Sequence, residues 1–322
     1  MINQNKNIVN TTPLLFFGTP LFAVPALEAL VKNGYSVVGV VTRPDEPAGR
    51  DQIITPPPVK VTAKRLGIPV FQPEGFDAKQ FAEEVPSAEL FVVAAYGKII
   101  PHSILNLAPR GTLNIHPSLL PKWRGPSPIQ SAIMAGDERT GVSIMLLDEL
   151  MDHGPIMAQR TIPLPPRATY PVLHDTLAEL GAAMLVETIP DYLSEKISPV
   201  AQNDERATFS KILKRNDGRA VWDRPAESID RMVRALNPWP GVWTIWPGTN
   251  IYRLKIEEAL AVTDTPAPGS AGYVWHNENF PLLVKTGHGS LAIKKAILGG
   301  RRSLTDAELA RGYSAIIGAT LV

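Results

Sequence analysis

Cysteine is absent from the 322 residues, which excludes a disulfide framework, a thiolate nucleophile and a cysteine-based zinc site. That composition suits a reducing compartment. No stretch approaches the roughly 18 consecutive apolar residues that a bilayer-spanning helix needs. The opening residues, MINQNKNIVNTTP, carry one lysine and no arginine and lack an apolar core of signal-peptide length. Neither a secretory nor an organellar presequence fits. A cytoplasmic protein without membrane contact is therefore expected. His102, His153, His174, His276 and His288 show no H-x-x-x-H spacing, so no metal is expected.

What is present is ordinary globular material: 44% hydrophobic and 20% charged residues, enough to bury a full-sized core. The length favours two domains. LLFFG (14 to 18) is an apolar run closed by glycine; the helical spacing of PLFAVPALEALVKNG and the strand YSVVGVVT follow. This βαβ opening predicts a parallel, doubly wound α/β sheet. Its first turn, G-T-P-L-F, lacks the G-x-G-x-x-G of dinucleotide sites. RPDEPAGRDQIITPPP (43 to 58), with five prolines and a glycine, reads as a long exposed loop. A long amphipathic helix is expected over 170 to 193. SPVAQNDERATF (198 to 209) lacks periodicity and reads as a linker.

Beyond Lys211 one amphipathic helix (226 to 236) precedes five or so short strands with Gly and Pro at the turns, the pattern of a small β-barrel. The expected division is 1–197, a linker at 198–209, and 210–322. The net charge of +1 is unevenly spread, with 16 Lys+Arg against 11 Asp+Glu from Glu205 onward. A polyanionic partner for the second domain and chance variation explain that asymmetry equally well. Trp239 and Trp243 of NPWPGVW read as packing residues.

The chemistry concentrates in NIHPSLLPKWRG (114 to 125), which follows the apolar strand ELFVVAA and the strand GTLNI. Asn114 and His116, two apart on an extended segment, project to the same side. Asp152 in LDELMDHGPIM, arriving from another strand end, would hold the imidazole. Together the three suit attack of an amine on a carbonyl, with Asn114 and His116 at the developing oxyanion and Asp152 in proton transfer. Taken singly, a histidine at a strand end is more often structural, and Asp152-His153-Gly154 reads equally as a turn.

Asn114 to Gly125 resembles the N-x-H-x-S-L-L-P-x-x-R-G signature of formyltransferases that use 10-formyltetrahydrofolate, and Asp152 matches that family's aspartate. The resemblance runs through FFGTPLFAVPAL, TRPDEPAGR, TPPPVKVTAKRLGIPVFQP, VVAAYGKIIP and ALNPWPGVWT. It is nearest to members whose acceptor is methionine esterified to initiator tRNA. It implies a Rossmann-like formyltransferase domain followed by a small OB-like barrel, a monomer, and a role in translation initiation. It also implies 10-formyltetrahydrofolate as co-substrate, with Ser118, Leu119, Leu120 and Pro121 against the folate and Tyr96, Gly97 and Ile99 walling the pterin pocket. Smaller relatives acting on glycinamide ribonucleotide share the trio but lack the second domain.

By the same resemblance the 43 to 58 loop enters the tRNA acceptor end, with Arg50 as the family's arginine and Arg43 at its base. The loop departs from the more basic family pattern at Glu46, Asp51, Gln52 and Ile53. Fewer phosphate contacts there imply weaker, less salt-sensitive binding through the loop. More of the affinity then falls to Lys211, Lys214, Arg215, Lys294, Lys295, Arg301 and Arg302, for which a solvated surface role is an equal alternative. Three other readings stay open. A sugar-nucleotide formyltransferase would share the trio and a C-terminal barrel. A nicotinamide-dependent oxidoreductase would need an acidic residue where Arg43 stands. An inactive RNA-binding module would leave the trio unexplained.

Overall fold

The computed structural model describes residues 11–49, 51–247, 251–263 and 267–322. The chain forms two compact units, neither continuous in sequence. The first comprises Met1–Pro128, Arg139–Pro163 and His174–Ser210; the second comprises Ile129–Glu138, Leu164–Leu173 and Lys211–Val322.

The first unit holds strands β1 (Pro13–Gly18), β2 (Ser36–Val41), β3 (Glu46–Ala48), β4 (Ile53–Thr55), β5 (Val70–Phe71), β6 (Leu90–Ala94), β7 (Thr112–His116), β8 (Arg139–Leu146) and β9 (Ile156–Pro163). Seven of them form one sheet in the order β5-β2-β1-β6-β7-β8-β9. The first five are parallel, as the βαβ opening predicts. Their apolar runs are nearly continuous because both faces are covered: every residue of β6 and β7 is buried. β8 runs antiparallel to both its neighbours, β7 and β9; the short bend between β8 and β9 leaves no length for a crossover helix. Strand order reverses between β1 and β6, the switch point where α/β sheets open a crevice at their carboxyl edge. Thr19 Oγ1, just past β1, donates to the Tyr96 carbonyl just past β6 at 2.7 Å, tying the two strand ends together.

Beneath the sheet Phe17, Phe81, Phe91, Tyr96 and Ile104 form one buried cluster, with Phe17 and Phe91 rings 5.2 Å apart and Tyr96 edge-on to Phe17 at 5.7 Å. Each such side chain stabilises by about 1.5–3 kcal/mol through burial. Phe81 lies on a helix, Ala78–Glu84, whose N-cap Asp77 accepts from Gln80 N–H at 2.8 Å.

The 43 to 58 stretch is not wholly irregular. β3 and β4 pair as a small antiparallel hairpin, Glu46 opposite Thr55 and Ala48 opposite Ile53. An isolated ribbon has open edges on which a proline's missing donor costs nothing, and Pro47 sits there. Proline content therefore argues against a central strand, not against this one. The 198 to 209 stretch is likewise tied down, although it has no periodicity. Val200 exchanges backbone hydrogen bonds with Ile156 at 2.8 and 2.9 Å, Thr208 N–H reaches the Pro121 carbonyl at 3.2 Å, and Ser210 N–H the Arg124 carbonyl at 2.7 Å. Its backbone groups are satisfied by the first unit, so the segment belongs there.

The second unit contains the helix Ala226–Leu236 and strands β10 (Val242–Trp246), β11 (Tyr252–Val262), β12 (Val274–Trp275), β13 (Leu283–Lys285), β14 (Ser290–Leu298) and β15 (Ser303–Thr305). They pair antiparallel in the order β10-β11-β14-β13-β12, with β15 on β14. Alternating burial along β10 marks one core-facing side. The ends of this path are joined by the tail. Val274 donates to Ala319 and accepts from Gly318, both at 2.8 Å, while Ile245 and Val322 exchange bonds at 2.8 and 2.9 Å. Asp230, 4% exposed, accepts Arg167 at 2.7 and 2.8 Å and Arg234 at 2.9 Å, pinning the Leu164–Leu173 segment to the helix. Arg231 does the same for Ile129–Glu138 through the Met134 carbonyl at 3.1 Å. Trp243 is half-buried, but Trp239 is 55% exposed and so is not a packing residue. Among the described residues no helix is long and apolar enough to cross a membrane.

Candidate active site

β7 ends at His116 on the carboxyl edge of the parallel strands, with Asn114 opposite Val93 of β6. Asn114 and His116 share one face of the strand and are 8% and 4% exposed. Asp152 arrives from the bend between β8 and β9 with a left-handed backbone, φ 49°, a conformation that Asp tolerates better than most residues. Its Oδ1 stands 3.6 Å from His116 Nδ1, an electrostatic contact too long for a direct hydrogen bond. Its Oδ2 accepts the Gly125 N–H at 2.7 Å. His116 Nε2 lies 3.0 Å from the Trp123 carbonyl, which can only accept, so the ring proton is on Nε2 in this arrangement. The trio is thus brought together, with Nδ1 and Oδ1 in electrostatic contact.

Two further turns hold these groups. Trp123 (φ 61°) and Gly125 (φ 107°) shape the loop after the SLLP turn; Thr208 Oγ1 accepts Trp123 N–H at 2.9 Å and the Thr208 carbonyl accepts Arg124 N–H at 2.9 Å. Arg124, 4% exposed, donates to Gln202 Oε1 from Nε at 3.0 Å and from a terminal nitrogen at 2.9 Å, and to Asp204 Oδ1 at 2.7 Å. The Arg124 hydrogen bond holds the Asp204 carboxyl below the usual range, with help from His153. His153 lies between Asp148 at 2.6 Å and Asp204 at 3.3 Å. The hydrogen bond that Nδ1 donates to the Asp148 carboxylate chiefly pushes its imidazole up. Gln202, Asp204 and Thr208 were not legible as site residues: they fall in the stretch without periodicity.

The residues expected to meet a folate are placed unequally. Ser118 and Leu120 are buried, 1% and 3% exposed, and the Ser118 hydroxyl donates to the Lys122 carbonyl at 2.5 Å. Leu119 and Pro121 are half-buried, and the Leu120–Pro121 bond is cis. Ser143 Oγ braces the turn, donating to the Ser118 carbonyl at 2.7 Å and accepting Leu120 N–H at 3.1 Å. Tyr96 is 2% exposed, and burial pushes its phenol up to about 12 against the opposing pull of Arg43. Gly97 is exposed with φ 84°, and Ile99 is 84% exposed.

Of the expected RNA-contacting residues, Arg50 lies outside the described residues. Arg43 pairs with Glu46 at 2.7 Å. Lys211 pairs with Asp217, Lys294 with Asp306 at 2.9 Å and Lys295 with Glu258 at 3.8 Å. Lys214 N–H donates to Asp217 Oδ2 at 2.7 Å, and the Arg215 carbonyl accepts the Trp243 indole at 3.1 Å. Arg301 donates to the Tyr313 hydroxyl at 2.6 Å and Arg302 to Glu308 at 3.0 Å. Lys294 and Lys295 are consecutive on β14 and both half-buried, where the pairing with β11 shifts register. Among the described residues no group of three or more His, Cys, Asp or Glu is arranged to hold a metal ion.

Two family models match: Formyl transferase over residues 12–189 and Formyl transferase, C-terminal domain, over 212–314. The chain is 45% identical over 304 residues to a methionyl-tRNA formyltransferase of Chloroflexus aurantiacus, covering 94% of this chain and 97% of that one. It is 39% identical over 310 residues to the methionyl-tRNA formyltransferase of Moorella thermoacetica, covering 96% and 98%. In fold it is similar to HypX from Aquifex aeolicus, solved in complex with tetrahydrofolic acid, with a TM-score of 0.61 and 18% identity over 93% of this chain and 47% of that one. Full-length identity at this level, with both models matched in order on the two parts of the sequence, shows that the chain belongs to the formyl transferase family.

Proposed function

We propose that this enzyme transfers the formyl group of 10-formyltetrahydrofolate to the α-amino group of methionine esterified to initiator tRNA, as a cytoplasmic monomer serving translation initiation. The observation that carries the reading is the convergence of Asn114, His116 and Asp152 at the carboxyl edge of the sheet, with His116 and Asp152 3.6 Å apart. The full-length relatives named for methionyl-tRNA favour that acceptor over a sugar amine. The folate complex of HypX supports a folate-type donor.

In this scheme the methionyl amine attacks the formyl carbon. A C–N bond forms and the carbonyl oxygen becomes an oxyanion, met by the N–H of the Asn114 side-chain amide and by His116 when its Nδ1 carries a proton. Asp152 receives the proton shed by the amine, through His116 or directly. The tetrahedral intermediate then collapses: the bond from the formyl carbon to N10 of the folate breaks, and the proton passes to N10. The site fits such a donor on one independent observation: Tyr96 Oη and Arg43 Nε are buried with no hydrogen-bond partner among the described residues, positions a polar ligand group would satisfy. The SLLP turn would offer backbone and apolar contact, because the Ser118 hydroxyl is already used. The second unit, read as a small OB-like barrel, would carry tRNA affinity together with Arg43 and Arg50.

The test is single-turnover formylation of methionyl initiator tRNA beside a panel of amine-bearing sugar nucleotides, with 10-formyltetrahydrofolate as donor. Formyl-methionyl-tRNA formed by the parent and lost in Asn114→Ala supports the reading. Formylation of a sugar amine with the tRNA untouched overturns the acceptor.

A further inference from the structure

We infer that Gln202 is a positioning residue for the reaction: its amide locks the Asp152 turn to the Arg124–Gly125 turn and so sets the carboxylate against His116. The inference rests on Asp152 being the carboxylate that moves the proton.

The geometry uses every hydrogen-bonding position of that amide. Nε2 donates to the Asp152 carbonyl at 2.9 Å and to the Gly154 carbonyl at 2.7 Å. Oε1 accepts both contacts from Arg124, at 3.0 and 2.9 Å. An amide has two N–H donors and one carbonyl, so nothing is left over. On one side it grips the turn that carries Asp152, a non-glycine residue with φ 49°. Such a backbone persists only where its surroundings hold it. On the other side it grips the residue before Gly125, whose N–H fixes the Asp152 carboxylate at 2.7 Å. One side chain therefore determines both the backbone and, at one remove, the carboxylate of Asp152. A displacement of about 1 Å at such a group is enough to cost about 100-fold in rate. No other side-chain type supplies this pattern at this reach. Glutamate keeps the acceptor for Arg124 but loses both donors, and methionine loses all three functions at similar length.

The two substitutions separate positioning from mere burial of Arg124. Gln202→Glu and Gln202→Met are compared with the parent at about pH 8, where a glutamate is ionised, for kcat, for KM of both substrates and for the thermal midpoint. Asp152→Asn is run alongside. We expect Gln202→Glu and Gln202→Met each to lose kcat about 10- to 100-fold, with KM for tRNA and folate within about twofold and both variants fully folded at the assay temperature. Parent-level kcat in Gln202→Glu overturns the inference, because the Arg124 contact alone then suffices. A fall in kcat that matches the unfolded fraction at the assay temperature, or appears as raised KM, overturns it too. If Asp152→Asn itself retains turnover, the proposed chemistry fails instead, and the two failures are told apart.

Discussion

Gly125 donates its backbone hydrogen to Asp152 Oδ2 at 2.7 Å from a conformation, φ 107°, that a side chain resists. A Cβ added there would stand 2.7 Å from the Ser210 carbonyl oxygen, backbone that cannot easily give way. Gly125→Ala should therefore shift the loop and the carboxylate with it. The expected outcome is a loss of about 100-fold in kcat and about 1–3 kcal/mol of stability, read from steady-state formylation and urea unfolding. Unchanged turnover would mean that this hydrogen bond does not place Asp152.

Asp152→Asn keeps a residue at ease with a left-handed backbone and an oxygen to accept Gly125 N–H, and removes only the basicity. Turnover should fall by about 10²- to 10⁴-fold with the thermal midpoint nearly unchanged. Residual activity near the parent's would assign proton transfer elsewhere.

Stability should depend on pH through His153. Its pKa is raised above the ordinary 6.5 by Asp148 and Asp204, so its contribution is full below 6.5 and fades as pH climbs through the raised value. The lowered pKa of Asp204, against an ordinary 3.8, gives a contribution present above 3.8 and lost as pH falls through the depressed value. The melting-temperature gap between parent and His153→Asn should thus be widest near about pH 5.5 and nearly closed near about pH 9. A gap independent of pH would rule out charge as the cause.

Removing Asp230 leaves the buried end of Arg234, 10% exposed, without its carboxylate. Asp230→Ala should destabilise by about 3–5 kcal/mol, measured by chemical denaturation. A loss below about 1 kcal/mol would show that solvent reaches the pair through the half-exposed Arg167.

The parallel sheet, the positions of Asn114 and His116 and the antiparallel second unit were legible because each rests on a local period: apolar runs, a two-residue alternation, short strands between turns. The β3–β4 hairpin was not, because proline density is a signal about strand interiors and this ribbon is all edge. Gln202, Thr208 and Ser210 were invisible for a different reason. Their partners Asp152, Trp123 and Arg124 lie some 50 to 90 positions away, and irregular backbone held by tertiary hydrogen bonds leaves no period to read. The discontinuous second unit was missed likewise: 129–138 and 164–173 look like ordinary helix and loop until Arg231, Asp230 and Arg234 claim them.

The tail that joins β10 to β12 has a consequence for how the polypeptide is made. Synthesis proceeds from the first residue onward, so β10 through β14 leave the ribosome with peptide groups still unpaired at Ile245 on one margin and Val274 on the other, each a template for pairing with a neighbouring nascent chain. Gly318 to Val322 cap both margins, and they are translated after every strand they protect. The interval between the emergence of β14 and that of Val322 is the time during which this part of the molecule is open to wrong partners.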